Sequence, residues 1–405
     1  MIEEEIISQN EKKILLIVLD GLGGLPVEGK TELEVANTPN LDALAKNSSL
    51  GLTWPIDYGI SPGSGPAHLA LFGYDPMQFR IGRGVMEALG VGLEITNDDL
   101  CIRANFATKK GNIITDPRAG RLKGYEVSPD EKNRQLTQRL QEALKEIKGV
   151  EIIIRPGKEH RFVIVLRQKG LSIDLEETDP GRNDKKELLI KEPKPKSKEA
   201  EFTAEVLKIL IEKAEEILNT EPKANYILLR GYSKKPNLPS MQERYKLNPA
   251  GIAAYPMYKG IASLLGMKVL ETKPTWEGEI DCLEENKDKF DFFYLHFKEM
   301  DMKGEDGDFW GKVKLIEKFD GLIPRILKMG FDTIAITSDH STPALLKSHS
   351  WHPNPFLLFS PYGRTYGIIE FNEKACAQGN LGIFPALKVM QLLLAHSLKL
   401  KKFGA

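Results

Sequence analysis

The chain has 405 residues, of which 41% are hydrophobic and 28% are charged, and its formal net charge is −1. This length is too great for one ordinary core and predicts about two or three globular domains. The near-neutral charge argues against a general nucleic-acid or membrane surface.

Cysteines and apolar runs narrow the class of protein further. The three cysteines form no CxxC pair, so the sequence suggests neither a zinc cluster nor a disulfide framework. The apolar runs are shorter than the ~20 residues of a membrane helix, and no signal-peptide pattern is present. We therefore expect a cytoplasmic protein.

The first predicted element is a strand over residues 13–19, an almost continuous apolar run that is typical of a strand buried on both faces. Asp20 follows this strand and opens a glycine-rich turn. Pro39 then predicts the first position of a helix, with Thr38 as its N-cap. The chain thus begins as strand, loop and helix.

A serine flanked by glycines is the next notable feature. Ser64 lies between Gly63 and Gly65, in a tight turn before the apolar helix predicted from Leu69. A serine at a helix N-terminus can be approached closely, and the free backbone N–H groups there favour an anion such as a phosphate. Ser64 is therefore a candidate nucleophile that a metal could activate. An ordinary N-cap serine is the alternative.

The middle of the chain has a different pattern of predicted elements, and we interpret residues 81–235 as an inserted α+β domain. Short strands with charged flanks are predicted at 118–121, 151–155 and 162–167, a surface loop at 191–198, a helix at 202–218 and a strand at 226–229. Residues 1–80 and 236–405 would then form one core from both ends of the chain.

The strand and helix pattern returns late in the sequence. Residues 291–297 and 331–337 predict strands, and residues 312–329 between them have helical periodicity. Alternating strands and helices predict an α/β core with a doubly wound, mostly parallel sheet.

Acidic and imidazole side chains follow the three core strands. Asp20 follows the first, Asp301 the second, and Asp339 and His340 the third, with His349 nine residues beyond His340. Each one alone is more often a turn, cap or structural residue. Together they predict a metal site, because the ends of parallel strands meet at one edge of a sheet and clustered carboxylates repel without a cation.

The sequence resembles the archaeal-type 2,3-bisphosphoglycerate-independent phosphoglycerate mutases of the alkaline phosphatase superfamily, from about residue 13 to the C-terminus. The segments that carry the resemblance are residues 17–21, 62–64, 68–76, 82–84, 105–108, 118–121 and 338–343. The resemblance implies an alkaline-phosphatase-like core and a mutase that moves phosphate between 2- and 3-phosphoglycerate through a phosphoserine. It also implies independence of 2,3-bisphosphoglycerate.

The resemblance further implies two divalent metal ions, with manganese as the usual ion and magnesium, zinc or cobalt as alternatives. One ion would be held by Asp20, Ser64, Asp339 and His340. The other would be held by Asp301, His349 and the residue four after Asp301. The family usually has a histidine at that last position, whereas this chain has Glu305. We hypothesise that Glu305 is a ligand; it adds negative charge and favours harder cations.

Basic side chains are the candidate substrate ligands. The resemblance implies that the inserted domain clamps the substrate with arginines such as Arg118 and Arg121, and the arginine fork matches carboxylate and phosphate. Arg103, Arg230 and Lys298 are further candidates, although exposed basic residues are more often simply solvated.

Three functions remain open at this point. The first is interconversion of the phosphoglycerates, a small-molecule reaction that needs neither nucleic acid nor membrane. The second is a related phosphatase or phosphotransferase that acts on another small phosphorylated metabolite, since Glu305 departs from the pattern. The third is a paralogue that kept the fold and lost catalysis. A homo-oligomer is left open.

Overall fold

The computed structural model describes residues 4–179 and 188–404. They belong to two units, one formed by Met1–Arg80 and Leu238–Ala405 and the other by Ile81–Asn237. The insert was predicted at 81–235, whereas the second unit of the structure ends at Asn237. No helix in the described ranges has the length and apolar character needed to cross a membrane.

The strands and helices of residues 4–179 and 188–404 are numbered in chain order. The strands are β1 (Ile14–Leu19), β2 (Ser48–Trp54), β3 (Asp99–Lys110), β4 (Ile113–Asp116), β5 (Glu146–Ile147), β6 (Val150–Pro156), β7 (Arg161–Arg167), β8 (Leu188–Leu189), β9 (Tyr226–Ser233), β10 (Pro249–Ala253), β11 (Lys268–Val269), β12 (Phe292–Phe297), β13 (Thr333–Thr337), β14 (Asn354–Phe359) and β15 (Gly382–Pro385). The helices are α1 (Glu32–Val35), α2 (Pro39–Ala45), α3 (Ser64–Leu71), α4 (Arg83–Gly90), α5 (Pro129–Ala143), α6 (Glu201–Leu218), α7 (Met241–Tyr245), α8 (Pro256–Leu264), α9 (Trp276–Asn286), α10 (Glu299–Asp306), α11 (Phe309–Asp320), α12 (Ile323–Lys328), α13 (Glu373–Ala377) and α14 (Val389–His396).

The unit formed by the two chain ends is built on a mostly parallel sheet, which confirms the predicted fold class. The strand order is β11-β10-β12-β1-β13-β14-β2-β15. Strand β14 is antiparallel to both of its neighbours, and the other pairs are parallel. Strands β1, β12 and β13 are buried along their whole length, which explains their continuous apolar sequence.

The pairing of these three strands places their carboxyl ends together. Leu19 of β1 pairs with Phe297 of β12, and Val18 pairs with Thr337 of β13. The residues that follow them, including Asp20, therefore leave the sheet at the same edge. An open α/β sheet binds its ligands at this edge.

The inserted unit has its own sheet and core. Strands β5, β6, β7, β3, β4 and β8 follow one another in space, β9 also pairs with β3, and these pairs are antiparallel. Apolar residues of β3, β7 and β9 form one hydrophobic cluster with those of α5 and α6. The predicted helix at 202–218 corresponds to α6.

Three local predictions were wrong or incomplete. Residues 118–121 do not form a strand, because Ala119, Gly120, Arg121 and Leu122 all have positive φ and make a tight 3₁₀ turn. The helix predicted at 312–329 is divided into α11 and α12. Pro324 lacks the N–H that would bond to the carbonyl four residues earlier, so a continuous helix is broken there.

The N-cap predicted for α2 is only partly correct. Thr38 occupies the N-cap position before Pro39, but its side chain makes no capping hydrogen bond. Asp320 of α11 takes over this role, since its carboxylate accepts hydrogen bonds from the backbone N–H groups of Asn40 (3.3 Å) and Leu41 (2.7 Å). A cap supplied by a distant helix cannot be read from the local sequence.

Candidate metal centre

Asp20 lies at the end of β1, and its two carboxylate oxygens have different surroundings. Oδ2 accepts a hydrogen bond from the phenol of Tyr258 and lies 3.2 Å from both His296 Nε2 and Lys298 Nζ. Oδ1 lies 3.5 Å from His340 Nε2 and has no hydrogen-bond partner among the described residues. Burial alone would raise the pKa of Asp20, but Lys298 and the histidines outweigh it and hold this pKa well below its usual value.

Asp339 is a second buried carboxylate beside Asp20. Neither of its oxygens accepts a hydrogen bond from any residue that the structure describes, although Oδ2 lies 3.2 Å from His340 Nε2 and 3.4 Å from His68 Nδ1. Burial, followed by repulsion from Asp20, raises the pKa of Asp339 well above its ordinary value. A buried carboxylate with no hydrogen bonds is expensive unless a cation compensates for it.

His340 presents its Nε2 atom to both carboxylates. On the other side of the ring, Nδ1 lies 3.0 Å from Thr342 Oγ1, and this hydroxyl donates to Asp301 Oδ1 at 2.6 Å. A hydroxyl that donates to a carboxylate accepts from the imidazole, so the proton is assigned to Nδ1 and the Nε2 lone pair faces the carboxylates. Burial lowers the pKa of His340 far below its ordinary value and keeps the ring neutral, as a metal ligand must be.

We call Asp20, Asp339 and His340 the inner group. Each offers one ligand atom, these atoms lie within 4.8 Å of one another, and all three side chains are fully buried. Two carboxylates and one neutral imidazole suit a hard or borderline divalent cation. The unpartnered oxygens of Asp20 and Asp339 supply the independent sign that the residues fit such an ion.

A second set of ligand atoms, the outer group, comprises Asp301, His340 and His349, again within 4.8 Å of one another. His349 Nδ1 lies 2.9 Å from the carbonyl oxygen of Pro62, which leaves Nε2 facing Asp301 Oδ1 at 3.5 Å. The rings of His340 and His349 stack, with their centroids 3.6 Å apart. The two groups therefore share His340.

Glu305 lies beside the outer group rather than within it. Its Oε1 atom is 3.7 Å from His349 Nε2, and its side chain is 55% exposed. Partial burial, followed by the Asp301 carboxylate, raises the pKa of Glu305. The structure therefore places Glu305 near the predicted second metal position, at its exposed side.

Ser64 is the first residue of α3, and Gly63 is its N-cap. The alternative interpretation of Ser64 as an N-cap is therefore wrong. The hydroxyl lies 3.1 Å from His340 Nε2, and the side chain is nearly buried. The carbonyl oxygen of Ser64 lies 2.8 Å from His68 Nδ1, which holds the first turn of the helix in place.

Lys298 was predicted to bind substrate, and the structure places it between the carboxylates. Its ammonium lies 3.2 Å from Asp20 Oδ2 and forms an ion pair with Asp301. Burial alone would lower the pKa of Lys298, but Asp20 and Asp301 raise it above the ordinary value. Lys298 is thus a fixed positive charge that links the two groups.

Four residues near the inner group escaped the sequence analysis as site residues: Tyr258, His296, Thr342 and His68. Tyr258 stacks on His296, with centroids 3.5 Å apart. Burial, then Asp20 and Asp339, raises the pKa of the Tyr258 phenol well above its ordinary value, so it remains a donor. His296 carried a signal, because it is a polar side chain in the otherwise apolar strand β12.

Two of the four predicted arginines of the inserted unit lie at the same carboxylate. Arg118 Nη1 is 3.0 Å and Arg230 Nε is 3.2 Å from Asp179 Oδ2, whereas Arg103 Nε is 3.2 Å from Glu87. Arg121 is exposed on the 3₁₀ turn.

A buried histidine, His160, lies near these arginines. His160 is 3% exposed. Burial, followed by repulsion from arginines that include Arg118, Arg121 and Arg103, lowers its pKa to about 3. Because burial is the largest cause, the low pKa shows mainly that the imidazole is neutral; the neighbouring arginines, Arg161 first among them, add a smaller repulsion.

Comparisons with a family model and with known proteins all indicate the same family. The family model described as 2,3-bisphosphoglycerate-independent phosphoglycerate mutase matches residues 45–224. A protein of Aquifex aeolicus named "probable 2,3-bisphosphoglycerate-independent phosphoglycerate mutase" is 53% identical over 411 residues, covering 99% of both chains. A protein of the same name from Thermus thermophilus is 48% identical over 409 residues, covering 99% of this chain and 98% of that one.

Solved structures agree along the whole chain. A protein of Pyrococcus horikoshii has a TM-score of 0.81 at 31% identity, with 98% of this chain and 100% of that one covered. A cofactor-independent phosphoglycerate mutase of Thermoplasma acidophilum has a TM-score of 0.75 at 29% identity, with 95% and 100% covered.

Proposed function

This chain belongs to the 2,3-bisphosphoglycerate-independent phosphoglycerate mutases, and from that premise we propose that it interconverts 2- and 3-phosphoglycerate through a phosphoserine at Ser64. The observation that supports this most strongly is the position of the Ser64 hydroxyl. It lies at a helix N-terminus, 3.1 Å from the neutral imidazole of His340 and beside two buried carboxylates.

The proposed centre holds two divalent ions, with manganese as the expected metal and magnesium, zinc or cobalt as alternatives. Asp20, Asp339 and His340 would hold one ion together with Ser64. Asp301, His349 and Glu305 would hold the other. When bound, such ions lower the pKa of a serine hydroxyl and offset the negative charge of the transferring phosphoryl group.

The chain's own residues account for the rest of the transfer. The bond from Ser64 Oγ to phosphorus forms as the bond from phosphorus to the glycerate oxygen breaks; Ser64 loses its proton, and the departing oxygen gains one. The free backbone N–H groups at the start of α3 can bind phosphoryl oxygens. Lys298 keeps its charge in this setting and attracts the same oxygens.

The second half of the reaction returns the phosphoryl group to the other hydroxyl of glycerate. Glycerate must stay bound while it reorients, and water must be kept from the phosphoserine. We propose that Arg118, Arg121, Arg103 and Arg230 bind the carboxylate and phosphate of the substrate, because arginine matches both groups with paired hydrogen bonds.

The direct test is to capture the phosphoserine. Wild-type protein loaded with manganese is mixed with 3-phosphoglycerate, quenched in acid and digested, and the peptide containing Ser64 is examined by mass spectrometry. We expect a phosphate on Ser64, and an enolase-coupled assay should report 2-phosphoglycerate. Ser64→Ala should lose both signals, while the exposed Ser61→Ala serves as the matched control and should keep both.

Two results would contradict the proposal. A phosphopeptide that persists in Ser64→Ala would place the nucleophile elsewhere. Release of inorganic phosphate and glycerate without any 2-phosphoglycerate would indicate a phosphatase instead of a mutase.

A further inference from the structure

Tyr258 joins helix α8 to the metal centre through a single hydroxyl group. Its side chain is 1% exposed and stacks on His296, which fixes the direction of the ring. Its phenol donates to Oδ2 of Asp20 and also interacts with the Ser64 side chain. One residue therefore contacts both a proposed metal ligand and the proposed nucleophile.

The donors around Asp20 are distributed unequally between its two oxygens. Tyr258, His296 and Lys298 all lie at Oδ2, within 3.2 Å for the latter two. Oδ1 faces His340 Nε2 at 3.5 Å, and no described residue bonds to it. A carboxylate held through one oxygen can turn only the other toward a ligand.

We propose that Tyr258 is a positioning residue for phosphoryl transfer: its hydroxyl holds Oδ2 of Asp20, so that Oδ1 is the oxygen that would be left to face an ion in the inner group, and it would orient the Ser64 hydroxyl toward the same group. This inference rests on the proposed function for its effect on the reaction. Its effect on metal binding stands on the geometry of Asp20 by itself. Hydrogen-bond partners of metal ligands typically change metal affinity or activity by about 10- to 100-fold.

A phenol suits this role better than another charged donor would. Lys298 already supplies a positive charge at Oδ2. A neutral O–H adds a directed hydrogen bond in a buried region without the desolvation cost of a second cation. The stacking on His296 leaves the phenol little freedom to leave Asp20.

The same part of the core contains a matched control. Tyr294 of β12 is also fully buried and packs edge-on against Phe72. Its hydroxyl has no hydrogen-bond partner within the described ranges. Tyr258→Phe and Tyr294→Phe therefore make the same chemical change, but only the first removes a hydrogen bond to Asp20.

The experiment measures metal binding before it measures catalysis. Metal-free wild type, Tyr258→Phe and Tyr294→Phe are titrated with manganese by calorimetry in the absence of substrate. We expect Tyr258→Phe to weaken one of the two metal affinities by about 10- to 100-fold and leave the other within about threefold. Tyr294→Phe should match wild type at both.

Kinetics at saturating manganese then separates positioning from substrate binding. Tyr258→Phe should lower kcat by about 10-fold or more and leave KM within about threefold, and it should slow phosphoserine formation at Ser64 to the same extent. Incorporating 4-aminophenylalanine at position 258 restores a donor and should recover most of kcat. A general loss of stability would not be rescued in this way.

The outcomes distinguish this inference from the proposed function. If wild type is an active mutase and Tyr258→Phe binds metal and turns over like Tyr294→Phe, the role of Tyr258 is wrong and the function stands. If wild type shows no mutase activity and Tyr258→Phe still weakens one metal site, the effect of Tyr258 on metal binding stands and the proposed function is wrong. Should Tyr258→Phe not fold, 4-methylphenylalanine fills the space of the hydroxyl without a donor, and metal affinity equal to wild type would overturn the inference.

Discussion

The inner and outer groups share His340 but are built differently. Asp20, Asp339 and His340 are fully buried at the ends of two central strands. The outer group adds Asp301 from α10 and His349 from a loop. The side chain of His349 is 23% exposed, and that of the neighbouring Glu305 is 55% exposed. One group is fixed by the sheet, and the other opens toward solvent.

This difference in burial indicates where a substitution should cost the protein least. Two carboxylates buried close together are costly without a cation, so a change in the inner group should alter both stability and the proposed metal binding. A carboxylate that is half exposed keeps most of its hydration, so a change from imidazole to carboxylate at position 305 has a much smaller cost. Glu305, where the sequence departs from the pattern that the resemblance implies, is the exposed position.

Breaking the inner group should have the largest effect. Asp339→Asn removes a carboxylate that has no hydrogen bond from any described residue, and we expect one metal ion per chain to be lost. Mutase activity should fall on the order of 10³-fold, about 4 kcal/mol, because an inner ion contributes several kcal/mol of charge stabilisation. Metal content by mass spectrometry and the enolase-coupled rate check this.

The stability of the metal-free proteins separates this effect from misfolding. Without metal, Asp339→Asn should be more stable to urea than wild type, because one of two mutually repelling buried carboxylates is gone. Asp288→Asn, on the surface, should leave metal content, activity and stability near wild type. An Asp339→Asn protein that retains two tightly bound ions would contradict the inner group as a metal site.

Lys312 is a buried lysine that bonds to the loops next to the inner group. Its removal should have the next largest effect. Lys312 Nζ donates to the carbonyl oxygens of Gly23 (3.1 Å) and Thr342 (3.0 Å) and lies 3.7 Å from Glu32, so it ties the loop after Asp20 to the loop after His340. Lys312→Met leaves two carbonyls and a buried carboxylate without their cation. We expect a loss of about 3 to 5 kcal/mol in the free energy of unfolding by urea.

Helix α10, which carries Asp301 of the outer group, contains an exposed lysine for comparison with Lys312. Lys303 of α10 forms an exposed ion pair with Asp308 at 2.7 Å, and Lys303→Met should leave the free energy of unfolding close to that of wild type. If Lys312→Met and Lys303→Met lower the free energy of unfolding equally, the buried charge of Lys312 contributes no more to stability than the exposed charge of Lys303.

The strand ends were the predictable part of this centre. Continuous apolar runs fixed β1, β12 and β13, and polar residues directly after parallel strands, such as Asp20 and Asp339, must meet at one edge. Tyr258 could not be found in this way, because it lies on a helix and only tertiary packing turns one particular side of that helix toward Asp20. The turn at Arg121 was missed for a different reason: four successive positive φ angles leave no trace in the hydrophobic pattern.

Substituting Glu305 should have the smallest effect and tests the outer group most sharply. Glu305→Ala should weaken the second manganese ion by roughly 10-fold, about 1.4 kcal/mol, since an exposed carboxylate near His349 adds charge but little desolvation. Asp306→Ala, exposed on the same helix, controls for the general loss of one negative charge. Glu305→His introduces the histidine that the resemblance implies here and should move the preference of this position from manganese or magnesium toward zinc, because imidazole is the softer ligand. If Glu305→Ala binds two ions per chain with unchanged affinity, Glu305 is not a ligand, and the second ion would depend on Asp301 and His349.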